Sequence, residues 1–168
     1  MKSNNYVYFW GSRTRNPQLG VECLSQWYPT QFSDGGNTYT STEQYMMYQK
    51  AMLFGSYTLA GVMLNEHDPK TLKALGRKVQ GFNQSMWDTW KEDIVYKGNM
   101  LKFSQNPALK AFITSFPDDA VFVEASPYDS VWGIGLRASD PRAWDSSTWQ
   151  GENLLGYILT RVANELRE

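Results

Sequence analysis

The chain has 168 residues with 16 basic and 17 acidic side chains, a net charge of -1. That length suits one domain with a sizeable core, and the balance excludes a global basic field for nucleic acid, leaving room only for a local patch. One cysteine, Cys23, and one histidine, His67, exclude a disulfide framework and a His/Cys metal cluster, so any metal would have to be oxygen-bound.

No apolar h-region of a signal peptide follows Met1 to Asn5, and no run approaches the ~20 residues that span a bilayer. The expectation is an intracellular protein, cytoplasmic or nuclear and not secreted. Aromatics are high at 15%, with seven Trp and ten Tyr. Most would fill the core, but Trp and Tyr are also platforms on which a flat base stacks.

In chain order, Tyr6 to Trp10 reads as a short strand, followed by a loop through Gly11-Ser12-Arg13 and Asn16-Pro17. Val21 to Leu24 reads as a second extended piece. Asp34-Gly35-Gly36-Asn37 is a hairpin turn signal between Phe32 and Tyr39. Thr40-Ser41-Thr42 offers N-caps for a strong helix from Thr42 to Phe54. Asp68-Pro69 opens a helix expected to end at Leu75, broken by Gly76. Asn83 to Phe103 has helical spacing interrupted by Gly98, and Pro107 to Phe116 is a short helix. Ala120 to Val123 is a buried strand, and the last helix runs from Leu154 to Leu166. The fold class expected is mainly α, a compact α+β arrangement of several helices with a few short strands, in one domain over residues 1–168.

Four constellations can carry chemistry. Glu43, Met47 and Lys50 fall at i, i+4 and i+7, so they share a helix face. The plain reading is a first-turn Glu favoured by the helix dipole and a solvated Lys. The functional reading makes Glu43 an acid/base or oxocarbenium stabiliser with Lys50 as its charge partner. Gly76-Arg77 ends a basic helix, either as a cap or as a fork for phosphate. Glu124, Asp129, Trp132, Gly133 and Gly135 lie within a dozen residues after a strand. They read either as a turn with a core Trp or as a stacking platform with carboxylates for a proton or a ribose hydroxyl. Gly151-Glu152-Asn153 opens the last helix and could aim its first amides at an anion. His67, beside Asp68-Pro69, reads as a helix-entry residue.

The ordered set of motifs resembles the NADAR, or YbiA-like, family. It includes Tyr8-Phe9-Trp10, Leu24-Ser25-Gln26-Trp27-Tyr28-Pro29, Thr42 to Ala51, Leu75 to Val79 and Trp87. Tyr96-Lys97-Gly98-Asn99, Lys102 to Pro107, Val123 to Leu136 and Trp149 to Gly156 continue it. The resemblance implies a single mainly helical domain that cleaves N-ribosyl bonds without a cofactor or metal. Its substrate would be ADP-ribose on the amino group of guanine in nucleic acid, or an amino-pyrimidine ribosyl phosphate of riboflavin synthesis. Two rivals from other classes are a non-catalytic ADP-ribose or NAD reader and a structural interaction domain with a purely aromatic core. The resemblance implies Glu43, Lys50 and Asp129 as catalytic residues. It places Phe9, Trp10, Ser25, Trp27, Tyr45, Arg77, Trp87, Glu124, Trp132, Gly133, Gly135 and Asn153 on substrate.

Two positions depart from the pattern. Gln26 stands where the family often has Asn. Ile134 stands where riboflavin-linked bacterial members tend to have an acidic residue, and this tilts the resemblance toward the ADP-ribosyl-guanine branch.

Overall fold

The computed structural model describes residues 5–13 and 18–168. The expected loop at Asn16-Pro17 and the residues Met1 to Asn4 lie outside the described residues. The chain divides into two compact units, one of Met1–Ser25 with Ala108–Glu168 and one of Gln26–Pro107.

In the first unit, β1 (Tyr6–Phe9) pairs in parallel with β4 (Val121–Glu124), Tyr6 facing Val121 and Phe9 facing Glu124. A two-stranded sheet leaves edges that need partners. On the β4 edge they come from α6 (Leu154–Leu166) and the residue before it. Thr160 Oγ1 accepts the Phe122 N–H at 3.0 Å. Asn153 accepts the Glu124 N–H and donates to the Phe122 carbonyl, both at 3.0 Å. Helix and strand come this close because Gly156 has no Cβ; one there would strike the Phe122 carbonyl. Val123, Ala125, Ile134, Leu136 and Ala143 form a buried cluster, with Tyr6, Tyr8 and Trp149 packed on it. α5 (Pro107–Thr114) buries Leu109 and Ile113.

Val21–Leu24 is a 3-10 turn, not the extended piece expected. Cys23 and Leu24 are both fully buried. Consecutive residues of a strand point to opposite faces, whereas a tight turn can bury both on one side. The Cys23 N–H to Gly20 carbonyl bond at 3.1 Å closes the turn.

The second unit is built on α1 (Thr42–Leu53). Thr42 through Met47 are buried without a break, the mark of a helix covered on all sides. Around it pack α2 (Tyr57–Leu64), α3 (Pro69–Gly76) and α4 (Gln84–Gln105). Ser41 caps α1 by accepting the Gln44 N–H at 3.0 Å. Gln44, wholly buried, donates to the carbonyls of Met63 and Glu66, binding the end of α2 to the start of α1. β2 (Phe32–Asp34) and β3 (Asn37–Tyr39) form the expected hairpin. Gly35 and Gly36 both have positive φ, as a twist-matched two-residue turn requires.

The helix α2 was not expected. Its sequence Tyr-Thr-Leu-Ala-Gly-Val-Met-Leu is almost wholly apolar after Thr58, so it has no polar face whose period can be read. Two glycines expected to interrupt helices lie inside them. A Cβ on Gly98 would stand 2.7 Å from the Tyr45 ring, and one on Gly76 would strike the Met47 sulfur. Both are contact glycines that let α4 and α3 close on α1.

Candidate active site

The first cluster sits in the second unit. Glu43 occupies the first turn of α1 and is 4% exposed, and Lys50 lies two turns along. A plain dipole-favoured surface Glu would not be this buried. Lys50 Nζ lies 4.8 Å from the Phe82 ring centroid and 5.5 Å from that of Trp87. Two ring faces attract the ammonium while shutting out water. Burial holds the Lys50 pKa below its ordinary 10.5, against the opposing pull of Glu43, and the charge of Arg77 lowers it further. Glu43, Lys50 and Arg77 are thus electrostatically coupled, and Trp87 lies beside Lys50. Arg77 is exposed at the end of α3, where its N–H caps the Ala74 and Leu75 carbonyls. Trp87 is 8% exposed, so it walls the group more than it offers a free face. Trp27 is 36% exposed and retains open ring surface.

Tyr45 was expected on substrate but is a core residue. It is 2% exposed, packed with Phe32 and Tyr39, and its hydroxyl donates to Asp34 at 3.5 Å. Burial raises its pKa far above the ordinary value, so it is a neutral phenol at any working pH. His67 sits at a helix entry as expected, its Nδ1 3.0 Å from the Thr40 hydroxyl.

The second cluster is the loop that follows β4 in the first unit. Asp129 Oδ1 accepts the N–H groups of Val131 and Trp132 at 2.9 and 2.8 Å. The Asp129 carbonyl takes the Gly135 N–H at 3.1 Å. One carboxylate oxygen therefore shapes the turn, and Oδ2 is the atom left for chemistry. Glu124 and Trp132 are half-buried, and the Glu124 carbonyl accepts the Ile134 N–H at 2.9 Å.

Gly133 and Gly135 answer to the loop's own packing. A Cβ on Gly133 would stand 2.8 Å from the Glu124 carbonyl, and Gly135 has φ +70 against the Gln150 carbonyl. The carbonyls of Ser130, Val131, Trp132 and Gly133 accept the N–H groups of Glu152, Leu154, Leu155 and Asn153. The start of α6 is thereby capped by protein, so the anion site anticipated there does not exist.

Two more substrate assignments change. Asn153 is wholly buried with φ 53 and gives both amide groups to the β4 main chain, which makes it a brace. Phe9 is 3% exposed and its carbonyl extends the β1–β4 ladder to Ala125, so it is core. Ile134, the residue that tilts the resemblance between branches, is fully buried in the apolar cluster. Ser25 closes the 3-10 turn through its N–H to Glu22. Trp10 is 51% exposed and meets the 79% exposed Tyr128 at 5.8 Å between ring centroids. Tyr128 was not among the expected residues. Its signal was a lone aromatic after a proline, which sequence does not separate from a core Tyr.

A NADAR domain matches residues 8–167, through both units. The chain belongs to the NADAR domain family. It is 41% identical over 170 residues to N-glycosidase R617 of Acanthamoeba polyphaga mimivirus, covering 98% of each. It is 31% identical to the riboflavin biosynthesis protein PYRR of Zea mays, over 58% of this chain and 14% of that protein. Among solved structures, the NMR structure of the E. coli protein YbiA superposes with a TM-score of 0.77 at 21% identity, over 99% of this chain and 88% of that one. The mainly helical fold with a few short strands is therefore the fold of YbiA. The NADAR chain is an enzyme of the N-glycosidase class, a hydrolase acting on N-glycosyl bonds.

Proposed function

We propose that this enzyme removes ADP-ribose from the amino group of guanine in nucleic acid. The guanine N–C1′ bond breaks with its electron pair going to nitrogen, which takes up a proton. Positive charge builds on C1′ and the ring oxygen, water adds at C1′, and its proton passes to a carboxylate. A fixed, desolvated carboxylate stabilises that charge better than a solvated one. Glu43 is the candidate, with Lys50 as ammonium favouring its ionised form. Arg77, exposed beside this pair, suits a phosphate oxygen. In the other unit, Trp10 and Tyr128 present exposed rings suited to a base. Asp129 Oδ2 is the oxygen available to orient water or hold a hydroxyl.

The observation that carries the choice of substrate is Ile134. An acidic residue, as riboflavin-linked bacterial members tend to have, would bury a charge among Val123, Ala125 and Leu136. The loop of this chain is built without that group. The match to PYRR, confined to 14% of that protein, lends the riboflavin intermediate less support than the full-length match lends the N-glycosidase reading.

The test is incubation with a guanine-ADP-ribosylated oligonucleotide and, separately, with the amino-pyrimidine ribosyl phosphate, read by mass spectrometry. Release of ADP-ribose from the first, with the second left intact, is the expected result; the reverse overturns the choice. A lysine that attacks the opened sugar aldehyde is the variant mechanism. Borohydride during turnover would then add mass at Lys50, and the ammonium role predicts no adduct.

A further inference from the structure

Gln26 and Asn99 lie 73 residues apart and meet in a chain of hydrogen bonds whose polarity can be read outward from a helix. Asn99, on α4, is wholly buried. Its Nδ2 donates to the Val95 carbonyl one turn back and to Gln26 Oε1, both at 2.9 Å. Its own Oδ1 is buried without a partner. Buried acceptors are seldom left so, and reversing the Asn99 amide is the obvious relief. The Val95 carbonyl forbids that reversal, because a main-chain oxygen can only accept and would then face another oxygen. The helix thus fixes Asn99, and Asn99 fixes Gln26 with its oxygen inward and its Nε2 outward.

The main chain of Gln26 is pinned too. Its carbonyl accepts the Glu43 N–H at 3.0 Å and the Thr42 hydroxyl at 3.3 Å. Gln26 is half-buried, and among the described residues no acceptor meets its Nε2. A two-proton donor is therefore held, at the residue that hydrogen-bonds the main chain of Glu43, in an orientation the side chain does not choose.

We propose that Gln26 Nε2 is a specificity-determining donor to an acceptor oxygen of the ribosyl substrate, and that Asn99 is its positioning residue. The proposal rests on the N-ribosyl reading of the Glu43 site but not on which ribosyl compound is cleaved. Three variants separate the atoms. Gln26→Glu keeps an oxygen for Asn99 and turns the outward donor into an acceptor. Gln26→Met removes both polar atoms at similar length. Asn99→Leu removes the positioning bond and leaves Gln26 free to turn.

Steady-state kinetics are run on whichever of the two ribosyl substrates the wild type cleaves, with melting temperature measured alongside. Failure of the ADP-ribosyl-guanine reading then shows in the wild type, and failure of the Gln26 assignment shows in the variants. Gln26→Met is expected to lower kcat/KM by about tenfold, the worth of one substrate hydrogen bond. Gln26→Glu should lose more while melting close to wild type. Asn99→Leu should lose a similar factor, and the double variant Gln26→Met with Asn99→Leu should be no worse than Gln26→Met alone, because both act through one donor. Wild-type kcat/KM in Gln26→Glu, or losses that multiply in the double variant, would overturn the proposal.

Discussion

The α1 cluster and the loop after β4 carry the same kinds of residue, carboxylates and tryptophans, yet they are built in opposite ways. On α1 the backbone is satisfied by the helix and by its N-terminal partners, Ser41 and the Gln26 carbonyl, so Glu43 and Lys50 bring their charges to a place the fold has dried. In the loop from Glu124 to Leu136 the backbone has no helix or ladder of its own. Asp129 holds the turn, Gly133 and Gly135 let main chains cross, and four carbonyls cap α6. The lesson is that a carboxylate in a candidate site must first be asked what it does for the main chain. Half of the Asp129 carboxylate is engaged in holding its own turn, through Oδ1.

Substitutions can break that contrast. The largest effect is expected for Glu43→Gln, which keeps shape and removes charge. Turnover should fall by about a thousandfold, with the melting temperature nearly unchanged. Lys50→Met should cost about a hundredfold in kcat/KM. The pH dependence sharpens its role. If the ammonium is the active form, kcat/KM falls as pH rises through the lowered Lys50 pKa. Phe82→Ala readmits water, raises that pKa and moves the alkaline limb to higher pH. Activity that instead climbs along that limb would assign the amine.

In the loop the effects should be on stability. Gly133→Ala forces a Cβ onto the Glu124 carbonyl and should cost about 1–3 kcal/mol, measured by denaturant unfolding. Asp129→Asn can still accept both N–H groups, so it should melt near wild type; Asp129→Ala should lose about 1–2 kcal/mol. Any fall in kcat for Asp129→Asn then belongs to Oδ2. The smallest change is expected for Trp10→Ala and Tyr128→Ala. Both rings are exposed, so stability should move within about 0.5 kcal/mol while KM rises.

Much of this was legible in the sequence where the signal is local. The Ser41 and Asp68 caps, the Asp34-Gly35-Gly36-Asn37 turn and the shared face of Glu43 and Lys50 all follow from spacing within one turn or two. The misreadings share one cause, which is that burial is a property of the whole fold. Tyr45 and Phe9 look like ligand residues in a motif and are core. Asn153 looks like an anion site and is a brace for β4. Val21–Leu24 looks extended because only packing puts Cys23 and Leu24 on one side. The Gln26–Asn99 chain joins residues 73 positions apart, and no pattern in either segment announces it.

The most direct test compares wild type with Glu43→Gln on a guanine-ADP-ribosylated oligonucleotide, with ADP-ribose quantified by mass spectrometry and binding followed in parallel. The account predicts release by the wild type, and undiminished binding with release at background for Glu43→Gln. Equal release by the two enzymes would contradict it.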